Sequence, residues 1–76
     1  MMSVKIYGKA GCSYCDKTKV LCELYGLEYE YIDCTFNEEG LDFLIENGFR
    51  SVPQVFIDGT HIGGYTELYA KLVGKE

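Results

Sequence analysis

Hydrophobic and polar positions in this chain switch between a period of two and a period near 3.6, and the switches mark out seven elements. Val4, Ile6 and Tyr7 form a short apolar run ended by Gly8, which predicts a buried strand. From Ser13 to Tyr25 the apolar and small residues fall at 15, 18, 21, 22 and 25, a one-sided helical stripe. Gly26 then suits the left-handed position that closes a helix. Glu28 to Asp33, with Tyr29, Tyr31 and Ile32, reads as a second strand. Two strands joined by a helix predict a parallel pair with a right-handed crossover.

Thr35-Phe36-Asn37-Glu38 fits a capping box, with Asn37 as the alternative cap. Leu41, Leu44 and Ile45 give one face of a second helix that stops near Asn47-Gly48, and Gly40 weakens its first turn. Val55 to Ile57 and Thr60 to Ile62 flank Asp58-Gly59, the signature of a type I′ turn, so strands three and four are expected to be antiparallel. Gly63-Gly64 ends this hairpin. Leu68, Tyr69, Leu72 and Val73 mark a last helix with Thr66 as its expected cap. The order is β-α-β-α-β-β-α, an α/β arrangement without internal repeat, linker or low-complexity stretch.

The 76 residues are expected to form one domain over 1–76, too short for a second. A chain of this size buries roughly 60% of its unfolded surface. Its 47% hydrophobic and 14% aromatic content supplies a thin core and argues against disorder. A net charge of -5 argues against nucleic acid as a partner, because phosphate binding needs a basic face. No stretch approaches the roughly 18 apolar residues of a membrane span, so no membrane role is expected. The N-terminus lacks the basic segment and apolar run of a signal peptide.

The chemistry concentrates in Lys9-Ala10-Gly11-Cys12-Ser13-Tyr14-Cys15, where the first strand hands over to the first helix. With Cys12 at the N-cap, its sulfur lies beside the orphan N–H groups of the first turn, one of them from Cys15. The positive end of the helix dipole favours a thiolate there, and Lys9 adds a nearby cation. Cys15, one turn on, can close a disulfide with Cys12. A half zinc site is the competing reading, but tetrahedral zinc needs two more close ligands, and Cys22, Cys34 and His61 do not form a second knuckle. Cys22 falls on the apolar stripe and reads as core, whereas Cys34 ends a strand and is expected to be partly exposed. His61 reads as a surface strand residue, and Tyr25, Tyr29 and Tyr31 as packing. This cysteine spacing suits a reducing, cytoplasmic compartment better than a secreted disulfide scaffold.

Four separated features carry a resemblance to a known family: Lys9 before C-S-Y-C, then S-V-P (Ser51 to Pro53), the D-G hairpin, and I-G-G-Y (Ile62 to Tyr65). From about Val4 to Leu72 the chain resembles the glutaredoxin family of the thioredoxin fold, its small bacterial and phage-type members most of all. Thioredoxin itself fits less well, being longer and having Trp beside its cysteines; this chain has none. The resemblance implies a four-stranded mixed sheet flanked by helices, and a glutathione-dependent thiol–disulfide oxidoreductase acting as an electron carrier. Cys12 then corresponds to the nucleophile, Cys15 to the resolving cysteine, and Pro53 to a proline held cis. Val52 would pair with the cysteinyl backbone of glutathione. Lys9 resembles the family's basic group for a glutathione carboxylate, helped by Arg50. Gly63 and Gly64 would let the ligand approach closely. The N–H groups of Tyr65 and Thr66 would receive the γ-glutamyl carboxylate at a helix start, and Tyr14 would wall the groove.

The same resemblance implies a monomer whose partners are glutathione and disulfide-containing or glutathionylated client proteins, ribonucleotide reductase among them. No tightly bound cofactor is expected, glutathione being a co-substrate. Two departures matter. Ser13 stands where the commonest motif has Pro, restoring an N–H donor near the thiolate, so Cys12 is expected to titrate no higher than in a Ser13→Pro variant. In the family this change accompanies members that hold a [2Fe–2S] cluster in a glutathione-bridged dimer, with Cys12 as the ligand; that is the alternative function. Thr66 stands where many relatives have Asp or Ser for the glutamyl amine. A redoxin reduced by thioredoxin reductase is a third reading, against which stand Lys9, the Gly-Gly helix start and the missing aromatic C-terminal signature.

Overall fold

The computed structural model describes residues 3–74. Seven elements follow in the expected order: β1 (Val4–Gly8), α1 (Ser13–Leu24), β2 (Tyr29–Asp33), α2 (Glu38–Glu46), β3 (Gln54–Ile57), β4 (Thr60–Gly63) and α3 (Tyr65–Leu72). They build a thioredoxin-like fold around one four-stranded mixed sheet of order β2-β1-β3-β4. β1 runs parallel to β2 and antiparallel to β3, and β3 is antiparallel to β4. Asp58 (φ 50°) and Gly59 (φ 83°) both take the positive φ that a type I′ turn demands.

Strand alternation divides the core between the two faces of the sheet. Val4 and Ile6 of β1 and Val55 and Ile57 of β3 pack with Leu21 and Cys22 of α1 and Leu68 of α3. Tyr29 and Tyr31, registered opposite Val4 and Ile6, join them. On the other face Tyr7, Cys34 and Leu44 form a second cluster, with Ile32, Phe43, Phe49 and Phe56 packed against it. Tyr7 stacks on Phe43 with ring centroids 4.7 Å apart. α1 and α3 therefore cover one face and α2 the other.

Several sequence expectations are corrected here. α1 ends at Leu24, and Tyr25 is its exposed C-cap. Gly26 is left-handed as expected (φ 66°). Asn37, not Thr35, caps α2: its Oδ1 accepts the Gly40 N–H at 2.8 Å. The Thr35 hydroxyl is engaged elsewhere, accepting the Ala10 N–H at 2.9 Å. Ile45, counted on the apolar face of α2, is 64% exposed. Gly40 has a packing reason: a Cβ there would lie 2.6 Å from Ile32 Cγ2 and 3.2 Å from Cys34 Sγ, so glycine lets α2 lie against β2. Cys34, expected at partial exposure, is buried, its N–H donating to the Gly8 carbonyl at 2.7 Å. Gly64, not Thr66, is the N-cap of α3, and Val73 follows the helix as its C-cap. As an N-cap Gly64 has no side chain to accept a first-turn N–H; Glu67 folds back so that its Oε1 accepts the Gly64 N–H at 2.7 Å.

Candidate active site

The loop after β1 turns at Gly11, whose φ of 76° suits glycine, and delivers Cys12 to the N-cap of α1 in an extended conformation. Cys12 Sγ accepts the Cys15 N–H at 3.1 Å. That bond places the sulfur on one of the amides that a helix start leaves unpaired, at the positive end of the dipole. Cys12 and Cys15 form a disulfide with a Cα–Cα distance of 5.2 Å. Cys15 is fully buried, while Cys12 is half-buried and reachable from solvent. One turn on, the buried Thr18 satisfies its hydroxyl by donating to the Tyr14 carbonyl at 2.7 Å, which keeps this face of α1 closed against the core.

The Val52–Pro53 peptide is cis, and the Val52 carbonyl oxygen lies 3.9 Å from Cys12 Sγ. Alongside runs a groove of about 480 Å³ lined by Tyr14, Ser51, Val52, Pro53, Gln54 and the stretch from Gly63 to Glu67. Tyr14 from α1 meets Tyr65 from α3 at a centroid distance of 5.6 Å and closes one end of it. Gly63 has φ 131°, and a Cβ on Gly64 would sit 3.2 Å from the Pro53 carbonyl oxygen. Glycine at 64 thus lets the start of α3 come up against the cis-proline segment, while glycine at 63 leaves room for the side chain of Glu67. The N–H groups of Tyr65 and Thr66, first and second residues of α3, lie where a helix offers no internal acceptor.

The structure therefore brings Tyr14, Val52, Pro53, Gly63, Gly64, Tyr65 and Thr66 to one groove. Lys9 and Arg50 instead line an adjoining recess of about 310 Å³ with Leu41, Leu44, Ile45 and Phe49. Ser51 and Val52 border both spaces. Three groove residues have no role assigned from the sequence: Ser51, which appears only as part of S-V-P, Gln54 and Glu67. Gln54 is buried, donates to the Ser51 carbonyl at 2.8 Å and shares a 2.7 Å contact with His61 Nε2. A polar residue heading a strand gives a period-two analysis no reason to single it out. Glu67 stood three residues after Gly64, a spacing that could have flagged it. The backbone N–H of Gly64 beside the Glu67 carboxyl holds its pKa below the usual carboxylate range.

Burial pushes both remaining thiols up, with Glu23 adding to the effect at Cys22. At Cys34, Lys9 opposes the rise and Asp33 adds to it. As a donor set for a [2Fe–2S] cluster, which takes four ligands, one chain offers one solvent-reachable cysteine sulfur, that of Cys12, which the disulfide to Cys15 occupies in this structure; Cys15, Cys22 and Cys34 are buried. Among the described residues, no group of three or more His, Cys, Asp or Glu side chains is placed to hold a metal ion, and no helix is long and apolar enough to cross a membrane.

Comparison with known proteins agrees with this geometry. The family model Glutaredoxin matches residues 4–62. Glutaredoxin 3 of Escherichia coli is 38% identical over 71 residues, covering 92% of this chain and 86% of that protein. The crystal structure of a buckwheat glutaredoxin–glutathione complex superposes with a TM-score of 0.77 at 32% identity, covering 95% of this chain and 70% of the other. NrdH-redoxin of Escherichia coli, described as a glutaredoxin-like protein with a thioredoxin-like activity profile, gives a TM-score of 0.80 at 25% identity, covering 97% and 99% of the two chains.

Proposed function

This chain belongs to the glutaredoxin family and is a thiol–disulfide oxidoreductase, and from that premise we propose that glutathione is its reductant. The observation that carries the reading is Cys12 Sγ on the Cys15 N–H and 3.9 Å from the carbonyl oxygen of Val52, a residue that borders a groove running to the start of α3. In the reduced protein the Cys12 thiolate attacks the glutathionyl sulfur of a protein–glutathione mixed disulfide. A Cys12–glutathione disulfide forms, and the client thiolate leaves and takes a proton. A second glutathione thiolate then attacks that bond, releasing oxidised glutathione and restoring Cys12. With a protein disulfide, Cys15 resolves the mixed disulfide instead, leaving the internal disulfide for two glutathiones to reduce. A thiolate attacks and leaves with little help, so positioning carries most of the catalysis.

Each part of glutathione has a proposed seat. Val52 pairs by backbone with the cysteinyl residue, in the manner of an added strand. Lys9 and Arg50 take the glycyl carboxylate, and the Tyr65 and Thr66 N–H groups take the γ-glutamyl carboxylate. Pro53, Gly63 and Gly64 shape the floor, and Tyr14 the wall. The glutamyl ammonium, for which Thr66 offers no charge, is assigned to Glu67, whose Oε2 is left over from the bond to Gly64. The buckwheat complex supports glutathione as the ligand class for this family. The carrier works as a cytoplasmic monomer on glutathionylated or disulfide-containing proteins, with ribonucleotide reductase as a candidate client. A potential around -200 to -230 mV would keep it reducible by cellular glutathione.

The deciding experiment is turnover of a glutathione mixed disulfide with glutathione and glutathione reductase, run beside an assay coupled to thioredoxin reductase. Turnover in the first is expected. Turnover only in the second would transfer the chain to the NrdH-like mode. A brown dimer on purification without oxygen would replace the carrier reading with the glutathione-bridged [2Fe–2S] module.

A further inference from the structure

Residues Gly8 to Gly11 connect β1 to the reactive cysteine, and the end of β2 with the turn after it holds this connection from one side. The Cys34 N–H donates to the Gly8 carbonyl at 2.7 Å. The Tyr31 hydroxyl reaches the Lys9 carbonyl at 3.4 Å, and glycine at position 8 is what admits it, since a Cβ there would overlap the Tyr31 hydroxyl. Thr35 Oγ1 accepts the Ala10 N–H at 2.9 Å. Thr35 is itself anchored, its N–H donating to Asp33 Oδ1 at 2.9 Å. Of the three ties the first belongs to the backbone and the second is long for an O–H···O bond. The third is short, rests on one exposed side chain, and lies nearest Cys12.

We propose that Thr35 is a positioning residue for the reactive thiol: by accepting the Ala10 N–H it fixes the chain two residues before Cys12 and keeps Sγ seated on the Cys15 N–H. Between Ala10 and Cys12 lies only Gly11, whose φ of 76° is one well among the many open to glycine. With Ala10 released, rotation at Gly11 changes the direction from which the chain enters Cys12. Hydrogen bonds weaken steeply once their angle is lost, so the sulfur loses the donor that favours its ionised form. Thr35 is part of neither the disulfide nor the groove lining and acts through the loop.

The inference rests on Cys12 being the attacking thiol, and its test reads that thiol without glutathione. Reduced protein is alkylated with iodoacetamide over a pH series, with modified Cys12 followed by mass spectrometry; Cys22 and Cys34 are buried and their thiols pushed up, so they stay out of the neutral range. Thr35→Val keeps the shape and removes the acceptor, Thr35→Ala does the same with less bulk, and Thr35→Ser keeps it. Valine and alanine are expected to move the midpoint of Cys12 alkylation upward by about half to one pH unit, a three- to tenfold change in the ionisation constant and the worth of one neutral hydrogen bond. Serine should stay within about twofold of the parent on the same scale. An unchanged midpoint with valine and alanine, or serine as impaired as valine, overturns the proposal, even if melting temperature falls. Failure of the parent protein to turn over a glutathione mixed disulfide strikes the glutathione assignment and leaves this result standing.

Discussion

Gly40→Ala sets two opposed effects of comparable size against each other, and the structure says which wins. Gly40 is the third residue of α2, and alanine there is favoured by helix propensity, worth about 1 kcal/mol in a helix interior. The new methyl would stand 2.6 Å from Ile32 Cγ2 and 3.2 Å from Cys34 Sγ. Ile32 cannot swing that carbon aside without changing χ1, the torsion on which β-branched residues are stiffest. Cys34 is buried and belongs to the same cluster as Leu44, so α2 must lift from the sheet. Overpacking of this kind costs about 1–3 kcal/mol. The balance is a net loss of about 1 kcal/mol, or a melting temperature lower by about 4–8 °C in a chain this short. Urea denaturation of the reduced protein, with reductant held constant, measures it. The Ile32→Ala background supplies the control: with the obstructing carbon gone, Gly40→Ala should become stabilising, and the cycle isolates the contact. A Gly40→Ala protein more stable than its parent, or the same change in both backgrounds, would refute the packing argument.

Other consequences follow from the site and the caps. Cys15→Ser should retain deglutathionylation of a client protein and lose most reduction of protein disulfides; equal loss of both in parallel assays would contradict the division of roles. Asn37→Ala should destabilise by about 1 kcal/mol through loss of the bond to the Gly40 N–H, read as a lower urea midpoint, with Thr35→Ala smaller on that scale. Glu67→Gln tests the α3 cap through its pH dependence. The folded pKa of Glu67 is depressed, so its contribution is complete above the ordinary value near 4.3 and is lost as pH falls through the folded value. The parent should therefore out-melt the glutamine variant at neutral pH and match it in acid; a constant difference would remove the charge from the explanation.

The parts of this fold legible in the sequence are those fixed by near neighbours. Asp58-Gly59 needs only its own backbone to make a tight turn, and Cys12 needs only the helix it opens. The crossover between β1 and β2 follows from chain connectivity. What escaped depends on distant partners. Thr35 looks like a cap until Ala10, 25 residues earlier, takes its hydroxyl. Thr66 looks like a cap because a glycine N-cap has no side chain to draw attention to the Gly64–Glu67 spacing, across which Glu67 reaches back to the Gly64 N–H. Cys34, expected to end a strand, is the first residue after β2, and α2 covers it by an approach that glycine at position 40 permits. At the site, Cys12, Cys15 and the cis Val52–Pro53 bond were in view from their motifs. Of the groove's other walls, Ser51 lies within the S-V-P motif without a role of its own, and Gln54 heads β3 with no pattern to mark it.

The Cys12 sulfur and the Val52 carbonyl come within 3.9 Å across 40 residues of chain, and the groove that Val52 lines exists only while the β3–β4 hairpin stays docked on β1. Reactivity and discrimination thus have separate origins. A first turn of helix is enough to make a nucleophilic sulfur, but selection among disulfides is a property of the assembled sheet. Damage that frees the hairpin while sparing α1 would leave a thiol still eager to exchange and no longer choosy about its companions.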